Sequence, residues 1–143
     1  MLAGRPGPDE IEWNLSELCQ AGFGAILSLH NGRINSADIS QHGFAHMLLP
    51  LPDTVPPSPD DVGTYQRLVP RALTFISQHV TNRIPTLVHC HASKDRTGVV
   101  LVFYLSIHMR ISPVDAIAKL RAVKPSILSA EGYEELALRL ANN

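Results

Sequence analysis

Apolar residues recur along this chain at two different periods, and the alternation between them predicts a layered fold. Over residues 9–21, Ile11, Leu15 and Leu18 fall at helical spacing among Glu10, Glu12, Asn14 and Glu17, and Gly22 and Gly24 close the run. That pattern predicts a first amphipathic helix. Residues 25–30 and 44–49 are short apolar runs followed by the turn signals Asn31-Gly32 and Pro50, and both predict buried strands. A third strand, over 86–88, is very short and runs straight into His89-Cys90. Residues 60–81 return to helical spacing, with Val62, Tyr65, Leu68, Val69, Leu73, Ile76 and Val80 on one side and Pro70 expected to kink or divide the helix. Three closing helices are predicted over 97–109, 113–123 and 129–140, the second with Ser112 as its cap and Pro113 as its first helical residue.

Between Pro50 and Pro59, five prolines surround Asp53. Proline donates no backbone N–H and fixes its own φ, so this stretch can be neither a helix interior nor a central strand. It predicts a loop of limited flexibility. Short strands alternating with helices then predict an α/β fold, a central mostly parallel sheet with helices on both faces, in which ligands collect where strands end and helices begin. At 143 residues the chain is expected to form one domain over 1–143, without internal repeats.

Composition narrows the function. A formal net charge of -1 with seven neutral histidines offers no basic face for a nucleic-acid backbone, so any anion site must be local. Trp13, Tyr65 and Tyr133 are single aromatics without the basic interleaving of a nucleic-acid stacking surface. The first eight residues lack the pattern of a secretory signal, and the longest apolar stretch, 99–105, is far short of the roughly 20 residues needed to span a bilayer. With two cysteines, Cys19 and Cys90, far apart in sequence, a reducing and cytoplasmic location with free thiols is expected, and Cys19 is expected to be core or half-exposed packing.

The chemistry concentrates in His89-Cys90-His91-Ala92-Ser93-Lys94-Asp95-Arg96-Thr97-Gly98, between an apolar strand and an apolar helix. Cys90 and Arg96 bracket five residues, enough to wrap successive backbone N–H groups around a tetrahedral phosphate at a helix N-terminus. The same positive field favours a thiolate at Cys90, the form that attacks phosphorus. Arg96 can donate two parallel hydrogen bonds to phosphoryl oxygens, and Thr97 offers a hydroxyl to the thiolate when it leaves. Gly98 is expected to let the first helical turn approach the loop. His91, Ala92, Ser93, Lys94, Asp95 and Arg96 are the expected phosphate contacts, although His91 and Lys94 read equally as exposed loop residues and Asp95 as a helix cap or a partner of Lys94. His89 is better read as a group hydrogen-bonding behind Cys90 than as a metal ligand, because no second cluster with ligand spacing appears.

A leaving alkoxide or phenoxide needs a proton, so a carboxylic acid on another loop is expected over the bound phosphate. Asp53 is favoured over Asp60, Asp61 and Asp95, since Asp60 and Asp61 read as caps and dipole partners of the next helix.

These segments together resemble the dual-specificity branch of the protein tyrosine phosphatases, particularly its small single-domain members. Residues 89–98 are similar to that family's phosphate-binding loop, Leu51-Pro52-Asp53 with Pro56-Pro57 to its mobile general-acid loop, and Lys124-Pro125-Ser126 to the segment after its penultimate helix. The resemblance implies a sheet of about four or five strands and no metal or cofactor. It assigns Cys90 as nucleophile, Arg96 as phosphate ligand, Thr97 as assistant to dephosphorylation and Asp53 as acid, then base. It also implies a monomer acting on a phosphorylated protein or a phosphoinositide, and leaves open a protective disulfide between Cys19 and Cys90. Three departures stand out. Ser93 and Asp95 occupy positions where many members have glycine, so unusual backbone dihedrals are expected there. The Lys94-Asp95-Arg96 triplet resembles lipid-directed relatives, tilting the expectation toward phosphoinositides. Family members usually have residues before 2–4 that complete a first strand, so an incomplete sheet edge is expected. Two rival readings are a catalytically silent phosphate-binding module of the same fold and a rhodanese-type sulfurtransferase; Asp53 and the two helices after the Thr97 helix favour the phosphatase.

Overall fold

A computed structural model describes residues 2–5, 15–30 and 36–142. In chain order the elements are β1 (Leu2–Arg5), α1 (Leu15–Gln20), β2 (Ala25–Ser28), α2 (Ser36–Gln41), β3 (Ala45–Leu48), α3 (Pro59–Thr81), β4 (Thr86–His89), α4 (Arg96–Ile107), α5 (Pro113–Val123) and α6 (Tyr133–Ala141). The four strands form one sheet in the order β1-β4-β2-β3, every pair parallel. β1 pairs with β4 along its whole length, Leu2 opposite Thr86 through Arg5 opposite His89, so this edge is as long as the rest of the sheet.

Side-chain alternation along the two central strands divides the core between the faces. Ala25, Leu27 and Val88 join the larger cluster with Tyr65, Val69 and Ile76 of α3, Val99 and Val102 of α4, and Leu136 and Leu140 of α6. Ile26 and Leu87 point the other way, into a smaller cluster with Leu18 of α1, Ile39 of α2 and Phe44. Helices therefore cover both faces, as the pattern predicts, and both central strands are buried at every residue.

Several local expectations are corrected. β3 lies at the sheet edge and is exposed or half-buried rather than buried, because a strand with one neighbour needs little apolar cover. The short helix α2 has no strong periodicity and went unpredicted. α3 runs unbroken through Pro70. The carbonyl that Pro70 leaves without a donor belongs to Gln66, and both residues are exposed, so water can serve it. The cap of α3 is Ser58 rather than Asp60: the Ser58 hydroxyl accepts from the Asp61 N–H, and the Asp61 carboxylate accepts from the Ser58 N–H. α6 starts at Tyr133, after Gly132 in the left-handed region at φ 87°. The predicted first helix is present from Leu15 onward, and residues 9–14 lie outside the described set.

Cys19 is exposed, not packed, and both cysteines are free thiols. The turn after α1 leads to Gly24, which pairs with Pro85 at the N-terminal end of the sheet, whereas Cys90 follows β4 at the C-terminal end. Among the described residues no helix is long and apolar enough to cross a membrane.

Candidate active site

The site forms at the C-terminal end of β4, where the chain turns through residues 90–95 into α4. His89, the last residue of the strand, is fully buried, and its Nε2 lies 2.6 Å from the hydroxyl of Ser28, its register partner on β2. The same hydroxyl lies 2.9 Å from His46 Nε2 on β3. His89 thus joins the ends of β4 and β2 behind the loop, next to Cys90 in the chain.

Cys90 is 2% exposed, and its Sγ accepts a hydrogen bond of 3.1 Å from Thr97 Oγ1 in the first turn of α4. Between them the backbone reverses at Ser93, a non-glycine residue at φ 53°. Asp95 has ordinary right-handed dihedrals, so of the two positions expected to be unusual only Ser93 is. The reversal turns carbonyls outward, and Lys124 meets them: its Nζ donates to the oxygens of Ala92 at 2.7 Å and Ser93 at 3.3 Å. The ammonium gives these two loop carbonyls a charged donor.

Lys94 and Asp95 stitch the loop to the segment after α5. Lys94 Nζ lies 2.5 Å from the Asp95 carboxylate and 3.1 Å from Ser129 Oγ, while the other Asp95 oxygen accepts from the Ala130 N–H. The Lys94 carbonyl accepts from the Leu128 N–H. Asp95 therefore pairs with Lys94 and makes no side-chain cap on α4. Gly98 serves this same seam and not the loop itself, since a Cβ there would come within 2.9 Å of Leu128 and 3.3 Å of Ile127.

A cavity of about 170 Å³ opens in front of the loop, several times the ~30 Å³ share of one water molecule. Cys90, His91, Ala92, Lys94, Asp95 and Arg96 line it from the loop, Asp53 and Val55 from the proline-rich segment, and Tyr133 from the start of α6. Ser93 is buried and does not line it, nor does Thr97, whose hydroxyl bonds the sulfur. Arg96, half-buried as the first residue of α4, has no hydrogen-bond or ion-pair partner among the described residues. His91 is exposed, with its ring 6.1 Å from that of His30. Asp60 and Asp61 are absent from the cavity lining.

The segment carrying Asp53 is held from both sides. Tyr65, on α3, donates its hydroxyl to the Pro52 carbonyl at 2.6 Å. Tyr133 donates to the Thr54 carbonyl at 3.0 Å, with the Pro52 oxygen 3.3 Å away. Burial pushes both phenols above their usual range, so both remain protonated donors at neutral pH. Gly132 packs against the same loop, where an added Cβ would fall 2.8 Å from Pro57 Cδ and 3.0 Å from Pro56 Cβ. Tyr65, Tyr133 and Lys124 are the site residues that spacing does not reveal. The two tyrosines sit at apolar helical positions, and Lys124 ends an ordinary helix; each reaches the site only through tertiary contacts.

Comparison with known proteins agrees with this geometry. The model of a family described as polymorphic toxin system, DSP-PTPase phosphatase, matches residues 3–110, some three quarters of the chain. No curated protein matches. Among solved structures the fold is similar to Tk-PTP in its active form, with a TM-score of 0.78 at 21% identity over 99% of this chain and 90% of that one. It is also similar to human DUSP28, with a TM-score of 0.76 at 16% identity over 97% and 91%. A third likeness is to PTPMT1 in complex with PI(5)P, with a TM-score of 0.69 at 15% identity over 87% and 80%. With its parallel sheet, its loop from Cys90 to Arg96 and this match along most of its length, the chain belongs to the DSP-PTPase phosphatases of polymorphic toxin systems and is a cysteine-based phosphatase.

Proposed function

We propose that residues 1–143 act as one phosphatase domain that hydrolyses phosphomonoesters of a phosphoprotein in two steps through a phosphocysteine on Cys90. The Cys90 thiolate attacks phosphorus, the S–P bond forms as the ester P–O bond breaks, and the Asp53 carboxylic acid protonates the departing oxygen. Water then attacks the phosphocysteine and gives a proton to the Asp53 carboxylate. The P–S bond breaks, and inorganic phosphate and the thiolate are released, the latter accepting the hydrogen bond of Thr97 Oγ1. Arg96 and the loop N–H groups bind the phosphoryl oxygens and stabilise their charge in both transition states.

The observation that carries this reading is the cavity shared by Cys90, Arg96 and Asp53, with Arg96 uncommitted to any described protein group. A silent binding module would need neither the acid nor the hydroxyl behind the sulfur. Against the tilt toward phosphoinositides, Lys94 is occupied by Asp95 and Ser129, and Lys124 by loop carbonyls, which supports a single phosphoryl group on a protein side chain. PTPMT1, which its solved complex holds with PI(5)P, keeps the lipid alternative in the test.

The test is a hydrolysis panel of phosphotyrosine, phosphothreonine and phosphoinositide substrates with wild type, Cys90→Ser and Asp53→Asn. Cys90→Ser should abolish turnover while still binding phosphate esters. Asp53→Asn should slow esters with poor leaving groups by about 10²- to 10⁴-fold, the usual size of general-acid catalysis. Full activity in Cys90→Ser would remove the nucleophile; unchanged rates in Asp53→Asn would move the acid elsewhere; a phosphoinositide turned over faster than any phosphopeptide would reverse the substrate assignment.

A further inference from the structure

We infer that Tyr65 and Tyr133 are positioning residues for the general acid, their hydroxyls holding the carbonyls on either side of Asp53 so that its carboxyl stands at the cavity before substrate arrives. The inference rests on the reading of Asp53 as the acid. It goes beyond that reading by assigning the acid's placement to two residues on separate helices.

Asp53 itself is exposed, and exposed loop residues ordinarily sample many conformations. Here the backbone around it has little freedom. The Pro52 oxygen receives the Tyr65 hydroxyl at 2.6 Å and lies 3.3 Å from that of Tyr133; the Thr54 oxygen receives Tyr133 at 3.0 Å. Because the peptide unit is planar, fixing the Pro52 oxygen fixes the plane from which the Asp53 backbone departs, and fixing the Thr54 oxygen limits where it can go. The donors are stiff. Tyr65 and Tyr133 are 0% and 1% exposed, and their rings meet edge to face with centroids 6.3 Å apart. Tyr133 also lines the cavity, so the same ring that holds the loop borders the space the phosphate would fill. Replacing either tyrosine by phenylalanine keeps the packed ring and removes only the hydroxyl. A purely structural hydroxyl would change stability without changing how the rate depends on the leaving group; a positioning one changes that dependence.

The experiment compares wild type, Tyr65→Phe, Tyr133→Phe and the double variant, each with and without Asp53→Asn, on p-nitrophenyl phosphate and on phenyl phosphate. Thermal melts serve as the control for folding. Each single change is expected to lower kcat/KM on phenyl phosphate, which reports formation of the phosphocysteine alone, about fivefold and the double change about tenfold to thirtyfold, as loss of one or two net hydrogen bonds would give. The kcat/KM of p-nitrophenyl phosphate, whose leaving group needs little protonation, should barely move, and in the Asp53→Asn background the tyrosine changes should add nothing. Equal losses of kcat/KM on both esters, or losses that multiply with that of Asp53→Asn, would overturn the inference. So would unchanged phenyl phosphate rates in the double variant while Asp53→Asn keeps its own leaving-group effect, an outcome that leaves Asp53 as the acid. If Asp53→Asn has no leaving-group effect at all, the reading of Asp53 fails first and takes the inference with it.

Discussion

The phosphate loop and the acid loop face one cavity but are built on opposite plans. Residues 90–95 are shaped chiefly by their own backbone: a strand end, one left-handed residue at Ser93 and a helix start leave the chain few other paths, and the outer carbonyls are then tied by Lys124, Lys94 and Asp95. The acid loop has little internal hydrogen bonding to define it. Its prolines restrict the chain, but Asp53 owes its location to Tyr65, Tyr133 and Gly132, contributed by α3 and by the start of α6. The first plan gives a site whose chemical groups are local in sequence and whose outer side is braced by the segment from Lys124 to Ala130. The second makes the placement of Asp53 depend on how two helices sit against each other.

The two plans should separate in kinetics. Among changes outside the reacting groups, the largest effect is expected from Lys124→Ala, which leaves the Ala92 and Ser93 carbonyls without their charged donor and lets the loop relax from its phosphate-ready shape. Turnover should fall about tenfold to a hundredfold, equally for good and poor leaving groups, because phosphoryl binding enters both chemical steps. Competitive inhibition by tungstate should weaken in parallel. A loss confined to poor leaving groups would mean that Lys124 acts on the acid side, and the division between the loops would collapse.

That division also explains what could be read without coordinates. The phosphate loop was legible because its cysteine, arginine and hydroxyl lie within ten consecutive residues, although its braces at Lys124, Leu128 and Ser129 were not; β2, β3 and β4 were legible from their apolar runs, and β1 only through the family resemblance. Asp53 was legible as a carboxylate among prolines. Its two anchors were not: a tyrosine on an apolar helical stripe is patterned like any core aromatic, and only packing shows its hydroxyl meeting a carbonyl 13 or 79 residues away. The pairing of Lys94 with Asp95 was legible as one alternative, whereas its second partner, Ser129, lies 35 residues on and is brought to it only by the fold. β3 was misread as buried because period alone does not tell an edge strand from a central one.

A smaller effect, aimed at the acid loop, is expected from Gly132→Ala. The residue sits at φ 87°, where a Cβ is strained, and that Cβ would meet Pro57 and Pro56 at 2.8 and 3.0 Å. Stability should drop by about 1 to 2 kcal/mol in denaturant titrations. The rate on phenyl phosphate should fall several-fold, with tungstate inhibition unchanged, since the proline ridge moves and the phosphate loop does not. Weakened tungstate binding would show that the two loops shift together.

The smallest effect tests whether the strand ends beneath the loops are truly shared. The Leu29 N–H donates to His89 O, Leu49 N–H to Ser28 O and Leu51 N–H to Leu29 O, so backbone bonds run from the foot of one loop to the foot of the other. The Ser28 hydroxyl lies between the His89 and His46 rings on the same line. One hydroxyl proton can serve only one ring, so Ser28 donates to one imidazole and accepts from the other. Burial lowers the His46 pKa below its ordinary 6.5. A histidine whose folded pKa is depressed binds its proton more readily when unfolded, so its share of stability is complete above the unfolded value and is lost as pH falls through 6.5 toward the folded one. Melting temperature should therefore decline from about pH 7.5 to about pH 5.5, and His46→Gln, which cannot titrate, should flatten part of that decline. An equal slope in wild type and His46→Gln would mean that this ring carries no proton linkage to folding.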